Sequence, residues 1–187
     1  MAKLVGGSTF IGKTITLGAY IDLSAHYWNS IGTNTNWFSG TFNGVNYTIS
    51  GMHQDGVSGG GLFACIQDAT IKNVRLEATI ITSSGGIYSE GTIVSLAYNS
   101  TIENCTFTGS LLSNRSNVGG IIGDMTGGSV TNCTNNGVVS GDSKTGGIIG
   151  VMSGGSVTNC TNNGAVSGKD IVGGIVGSKS GGSVHRT

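Results

Sequence analysis

Val118-Gly119-Gly120-Ile121-Ile122-Gly123 returns as Thr145-Gly146-Gly147-Ile148-Ile149-Gly150 and again as Val172-Gly173-Gly174-Ile175-Val176-Gly177. Each copy is followed by Gly-Gly-Ser-Val, at Gly127–Val130, Gly154–Val157 and Gly181–Val184. The first two copies continue Thr-Asn-Cys-Thr-Asn-Asn-Gly, over Thr131–Gly137 and Thr158–Gly164. The offset is constant, since 146 − 119, 160 − 133 and 173 − 146 are each 27. A fixed period of that size marks a stacked-repeat architecture.

Within one unit, short apolar bursts such as Gly-Ile-Ile-Gly and Val-Val-Ser alternate with Gly, Asn and Ser. They read as short strands between turns, because no apolar spacing of helical period is sustained. Three strands and three corners in 27 residues describe one coil of a parallel β-solenoid. Successive coils then lie about 4.8 Å apart, each strand pairing with its copy on the next level. A flexible Gly/Ser linker would have no reason to keep Ile, Val, Met and Cys in register. The expected fold is therefore all-β: a β-solenoid of about six or seven coils, with roughly 27–31 residues per coil.

The rest of the composition agrees. The 187 residues include 35 Gly and no Pro, 10% are charged, and the formal net charge is zero. Absent Pro suits uninterrupted backbone ladders. A neutral chain with scattered basic residues gives no electrostatic case for nucleic acid, and no apolar run approaches a membrane span. Met1-Ala2-Lys3-Leu4-Val5-Gly6-Gly7 lacks the sustained apolar core of a signal peptide. A signal and an anchor, if export uses them, are expected outside these residues.

Working outward from the repeat, Ile71-Lys72-Asn73-Val74 aligns with Ile102-Glu103-Asn104-Cys105, Val130-Thr131-Asn132-Cys133 and Val157-Thr158-Asn159-Cys160. The Asn offsets of 31, 28 and 27 suggest a repeat that tightens toward the C-terminus, with excursions around Ser83–Gly91 and Ser113–Ser116. The alignment predicts vertical columns. Ile71, Ile102, Val130, Val157 and Val184 form one aliphatic stack, and Val74, Cys105, Cys133 and Cys160 a second. Leu62, Ile93, Ile121, Ile148 and Ile175 form a third. Asn73, Asn104, Asn132 and Asn159 form an asparagine ladder at a corner, where side-chain amides satisfy turn groups. Phe63, Val94, Ile122, Ile149 and Val176 come next in sequence, so strict alternation turns them outward. The sequence leaves open whether that stripe is exposed; if it is, it forms an apolar seam in need of a cover by a loop or a partner.

Residues 8–23 read as the first coil, with Ile15, Leu17 and Ala19 facing one way. Eight of the 12 aromatics precede residue 50, which suggests a plug in a wide terminal coil. Trp28 and Trp37 could alternatively offer a stacking platform for a sugar or a partner. Residues 1–60 are thus expected to hold N-terminal coils and an aromatic-rich cap, and 61–187 the regular repeats, in one continuous domain.

The Gly-Gly-Ile-Ile-Gly and Gly-Gly-Ser-Val-Thr-Asn-Cys elements resemble the GLUG-type repeats of bacterial surface proteins. Phe10–Leu17, Ile21–Ser24, Gly40–Gly44 and Ile49–Gly51 resemble the segment that commonly precedes those repeats. The resemblance spans nearly the whole chain. It implies a right-handed single-stranded parallel β-helix in an adhesin or other large extracellular protein, and it brings no catalytic residues. The chain departs from the pattern by stopping at Val184-His185-Arg186-Thr187, partway through a coil.

No catalytic, metal or cofactor site is expected. Cys65, Cys105, Cys133 and Cys160 match no zinc or redox spacing, and three of them share a column, so a reduced ladder is expected. Glu103 should sit over Lys72 and Asp142 beside Lys169, as exposed pairs of small worth. Asp68 and Asp124 have no aligned acidic neighbour, and no His aligns with a Ser or Cys. A polysaccharide-binding or polysaccharide-cleaving β-helix stays open as an alternative. The columns Thr106/Thr134/Thr161 and Thr131/Thr158 raise an ice-binding surface, but they cover only two or three coils. The reading is a non-enzymatic structural or adhesive module at the cell surface. Its expected partners are a host or cell-surface ligand, or another copy stacked end to end, without nucleic acid or membrane insertion.

Overall fold

A computed structural model describes residues 9–54, 60–82 and 89–185. The readings made above on Met1–Gly7, on Arg186–Thr187 and on most of the Ser83–Gly91 excursion fall outside these residues. Among the described residues there is no helix. The strands assemble into sheets of ten, eight and four members, all paired in parallel, and the solenoid makes about six turns. One coil shows the route. The chain passes Asn117–Gly119 in the four-stranded sheet and Ile122–Thr131 in the ten-stranded sheet, then turns at Asn132. It crosses the eight-stranded sheet as Thr134–Asn135 and Val138–Ser140, and Lys144–Gly146 re-enters the first sheet one level on.

The first expected column is present and longer than the sequence alignment suggested. Backbone register places Ile15 against Phe42, then Ile71, Ile102, Val130, Val157 and Val184. From Phe42 to Val157 these side chains are buried, and full burial of each aliphatic contributes about 1.5–3 kcal/mol. The spacings along this column are 27, 29, 31, 28, 27 and 27 residues. The repeat therefore does not simply tighten. It is as short at the N-terminal end as in the last coils and widest in the middle, in the coil that carries residues 83–88. In the first coil the strand that carries Ile15 is only Thr14–Thr16, so the alternation stops early: Ile15 and Leu17 pack against the core while Ala19 is exposed.

The Phe63/Val94/Ile122/Ile149/Val176 stripe is buried, which answers the question that alternation left open. The five residues are in mutual register, and the first four are fully buried. The cause is a corner. The N–H groups of Ile121 and Ile122 both donate to the Ile148 carbonyl, at 2.9 Å each, and those of Ile148 and Ile149 both donate to Ile175. Two successive donors on one acceptor bend the chain, so both side chains of the Ile-Ile pair turn inward. The third column and this stripe thus line the two sides of one corner, and no apolar seam is left to cover.

The glycines of the motif follow from the same corner. A Cβ on Gly119 would collide with the Ile122 carbonyl and lie 2.6 Å from the Gly150 nitrogen, so backbone meets backbone there. Gly128 needs its freedom for another reason: it turns the long strand at φ 81° and lies against Ser100 on the level below. The asparagine corner is left-handed too, with φ of 55°, 53°, 54° and 53° at Asn73, Asn104, Asn132 and Asn159. Asn tolerates that region better than other side-chain-bearing residues. The backbone N–H of Asn73, Asn104 and Asn132 donates forward to Glu103, Thr131 and Thr158. Their amide Nδ2 groups donate backward to Asn43, Asn73 and Asn104, at 3.0, 3.3 and 3.2 Å.

Cys105, Cys133 and Cys160 stack as expected, and all four cysteines are free thiols. Each stacked Sγ contacts the carbonyl two residues earlier, at 3.3, 3.4 and 3.5 Å. The adjacent Cys105 thiol and then burial hold Cys133 well above the ordinary thiol range, while Cys133 and burial do the same for Cys160. Cys65 lies elsewhere, in register with Leu96. The N-terminal aromatics fill the first levels: Phe38 packs on Phe10 and Phe63, with ring centres 5.9 and 5.1 Å apart, and Phe42 meets Phe63 edge-on at 5.3 Å.

Candidate binding surface

A hydrolytic site would place two carboxylates across a cleft, and excursions from a solenoid are where such a site is most readily added. Glu90 and Arg115 do meet there, but inside the solenoid. Glu90 heads the inward column that continues as Val118, Thr145 and Val172. Its Oε2 is 3.2 Å from Arg115 Nε, and the two side chains are 0% and 4% exposed. The corner residues Ser113–Asn117 bring the guanidinium over the level below, where it neutralises a carboxylate that could not stay charged alone in that environment. Beside the pair, Asn117 Nδ2 donates to Ser89 Oγ at 3.3 Å and to Asp124 Oδ2 at 3.2 Å. Burial raises the Asp124 carboxyl above its usual range, opposed by the Asn117 hydrogen bond and the Lys144 charge. This is a locked polar knot that ties coils together.

The exposed pairs stand where the alignment put them. Lys72 Nζ lies 4.0 Å from Glu103, and Lys169 pairs with Asp142, whose hydrogen bond and charge raise the lysine above its ordinary range. The threonine columns are in register as well. The level below Thr106 is Arg75, above Thr48, so the array stops at three threonines. A shallow concavity of about 240 Å³ lies here, lined by Thr48, Arg75, Leu76, Glu77, Thr106 and Thr108. It is smaller than the roughly 300–1,000 Å³ of typical ligand pockets. No group of three His, Cys, Asp or Glu side chains among the described residues is arranged to hold a metal ion.

The two tryptophans take different places and do not face each other. Trp28 is half-buried against the core, and its indole Nε1–H donates to the Leu62 carbonyl at 3.2 Å. Next to it the buried Gln54 clasps two levels, donating to Trp28 O at 3.2 Å and accepting from Gly61 N–H at 3.0 Å. Trp37 is half-buried as well, on the side of the chain opposite the fully buried Phe38. Its Nε1–H donates to Asn34 O at 3.1 Å. Its ring meets Tyr98 edge-on, with centroids 6.4 Å apart and an interplanar angle of 82°. Tyr98 is 48% exposed, and Gln67, its register partner, lies on the same outer face.

The chain then turns at two left-handed corners stacked on one another, Asp68 (φ 49°) and Asn99 (φ 45°). Asp68 N–H donates to Tyr98 O at 3.1 Å, and Asn99 Nδ2 donates to Asp68 Oδ1 at 2.7 Å, with both side chains exposed. An aromatic corner therefore stands directly beside a carboxylate–carboxamide pair. Alignment by acidic neighbour missed this pairing because Asp68 stacks on an amide. The signal was its 31-residue offset to Asn99, the same as from Asn73 to Asn104. Tyr98 and Trp37 are 61 residues and two unequal coils apart, and no single offset joins them.

The fold is that of a parallel β-solenoid. No protein-family model matches the chain, and no curated protein matches it. Among solved structures it is similar to a Bacteroides ovatus protein provisionally named an immunoglobulin A1 protease, with a TM-score of 0.68 and 22% identity. The match covers 92% of this chain and 57% of that one. At that identity the likeness concerns the fold, and the chain spans little more than half the length of its neighbour.

Proposed function

We propose that the chain is a rigid, non-enzymatic adhesive module of an extracellular bacterial surface protein, of the kind its GLUG-like repeats suggest. The observation that supports this best is the continuous interior file from Ile15 to Val184, a rod about 29 Å long at the spacing of parallel strands. Its buried charges are spent on holding coils together, and the exposed Tyr98 with the half-buried Trp37 forms an outer corner suited to contact. A host or cell-surface ligand and homotypic end-to-end stacking belong to the same reading. The neighbour's provisional name makes proteolysis the competing activity, and one experiment addresses both. Beads coated with the chain are expected to adhere saturably to epithelial cells, while immunoglobulin A1 incubated with the soluble chain stays intact. Beads that adhere no better than albumin-coated ones would remove the adhesive role, and a cut heavy chain would replace it with an enzymatic one.

A further inference from the structure

We infer that the outer face around Trp37, Tyr98, Asp68 and Asn99 is a binding site for a neutral pyranose sugar, an assignment that rests on the adhesive reading and names its ligand class. The argument is chemical complementarity. A pyranose presents a patch of C–H groups on one face and a rim of hydroxyls that both donate and accept. The Trp37 and Tyr98 rings stand at 82° to one another, so one can stack under the C–H face while the other flanks it. The hydroxyl rim needs planar groups with capacity in both senses, close to the aromatic corner. Asp68 is tied to Tyr98 through its backbone, and its Oδ1 accepts from Asn99 Nδ2. A carboxylate with one such bond keeps acceptor capacity, and the Asn99 amide keeps both an acceptor and a second N–H. Gln67, on the same face, adds a second amide.

The supporting frame is rigid. Tyr98 and Gln67 sit on paired strands, Trp37 is held through its indole N–H, and the two polar residues are fixed in left-handed corners. Pre-ordering of that kind limits the entropy lost on binding. A neutral ligand suits the site because Asp68 disfavours anionic sugars, and one exposed carboxylate holds a cation only weakly.

The two indole N–H signals of a ¹H–¹⁵N spectrum provide the test, using galactose, mannose, N-acetylglucosamine and fucose as probes. At least one sugar should shift the Trp37 signal saturably and leave that of Trp28 in place, because Trp28 is bonded into the core. Trp37→Ala should weaken binding about tenfold or more. Asp68→Gly and Asn99→Gly remove the polar groups while tolerating the positive φ, and should weaken binding of the same sugar without loss of fold. Tyr20→Ala, which removes an exposed aromatic paired with Tyr47 elsewhere, should leave binding unchanged. No saturable Trp37 shift with any of the four sugars overturns the inference, as does full binding by Trp37→Ala or equal loss in Tyr20→Ala. Bead adhesion that survives in Trp37→Ala would sink the sugar site and leave the adhesive role standing.

Discussion

The coils after Asn117 and the coils before it solve one packing problem in two ways. After Asn117 most interior columns repeat one residue or a close relative, as in Ile121, Ile148 and Ile175. Before it, unlike residues share a column: Ile49, Leu76 and Phe107 lie below Asn135 and Asn162, and Glu90 lies below Val118. Parallel stacking thus fixes the register of the backbone and leaves side-chain identity free, provided that a neighbour makes room or neutralises charge. Gly137 supplies room, since a Cβ there would press on the Phe107 ring. Arg115 supplies charge. Asn135, fully buried, donates to Asn162 Oδ1 at 2.8 Å and accepts from the Gly137 N–H at 2.9 Å.

The irregular coils should fail most sharply where that compensation is removed. Arg115→Ala takes the guanidinium away from the buried Glu90 carboxyl and should lower stability by about 3–5 kcal/mol, read as a drop in the urea midpoint. Replacing both partners by Glu90→Leu with Arg115→Met should recover most of the loss. A loss under about 1 kcal/mol in Arg115→Ala would show that the pair is not needed to close the column.

How far the sequence disclosed these features follows the same division. Columns were legible because an in-register solenoid turns a sequence offset into a vertical contact, and the Ile71–Val184 file and the Cys105–Cys160 stack came directly from it. The inward turn of both Ile121 and Ile122 was not legible, because side-chain alternation assumes a straight strand and a corner lies between them. The Glu90–Arg115 pair was hidden because Glu90 replaces a valine in its column and Arg115 reaches it from a turn. The candidate sugar site was half visible. Trp37 stood out by type, but Tyr98, Asp68 and Asn99 needed the register of coils with unequal lengths.

Within the regular coils the effects should be smaller and depend on level. A Cβ on Gly120 would meet the Gly147 carbonyl and the Asn135 amide, whereas one on Gly174, the same motif position two coils on, meets nothing within 4 Å. Gly120→Ala should therefore cost about 1–3 kcal/mol, and Gly174→Ala should leave the urea midpoint near that of the parent. Equal effects at both positions would show that the motif glycines are set by something other than the backbone of the next coil.

Smaller again is the contribution of one rung of the asparagine ladder. Asn132→Gly keeps the left-handed corner and loses the amide bond to Asn104, so it should cost about 0.5–1.5 kcal/mol. Asn132→Ala loses the same bond and adds backbone strain of about 1–2 kcal/mol. Similar losses for the two variants would mean that the corner is not held in its left-handed form.

The least effect is one that is absent at neutral pH, and it separates the isolated cysteine from the stacked ones. Burial pushes the Cys65 thiol up to about 11 from an ordinary 9.0. A group raised in this way favours the folded state through its neutral form, so its contribution is complete below pH 9 and is lost as pH climbs through 11. Urea midpoints measured from pH 7 to 11 should accordingly fall less steeply in Cys65→Ala than in the parent, with no change in slope below pH 9. The stacked thiols are raised first by their neighbours, so removing Cys133 should alter the alkaline behaviour of Cys160 as well, whereas removing Cys65 should not. If Cys133→Ala left the alkaline labelling rate of Cys160 by iodoacetamide unchanged, the thiols would not be acting on one another. The contrast between a column of like residues and a site surrounded by unlike ones would then fail at its smallest scale.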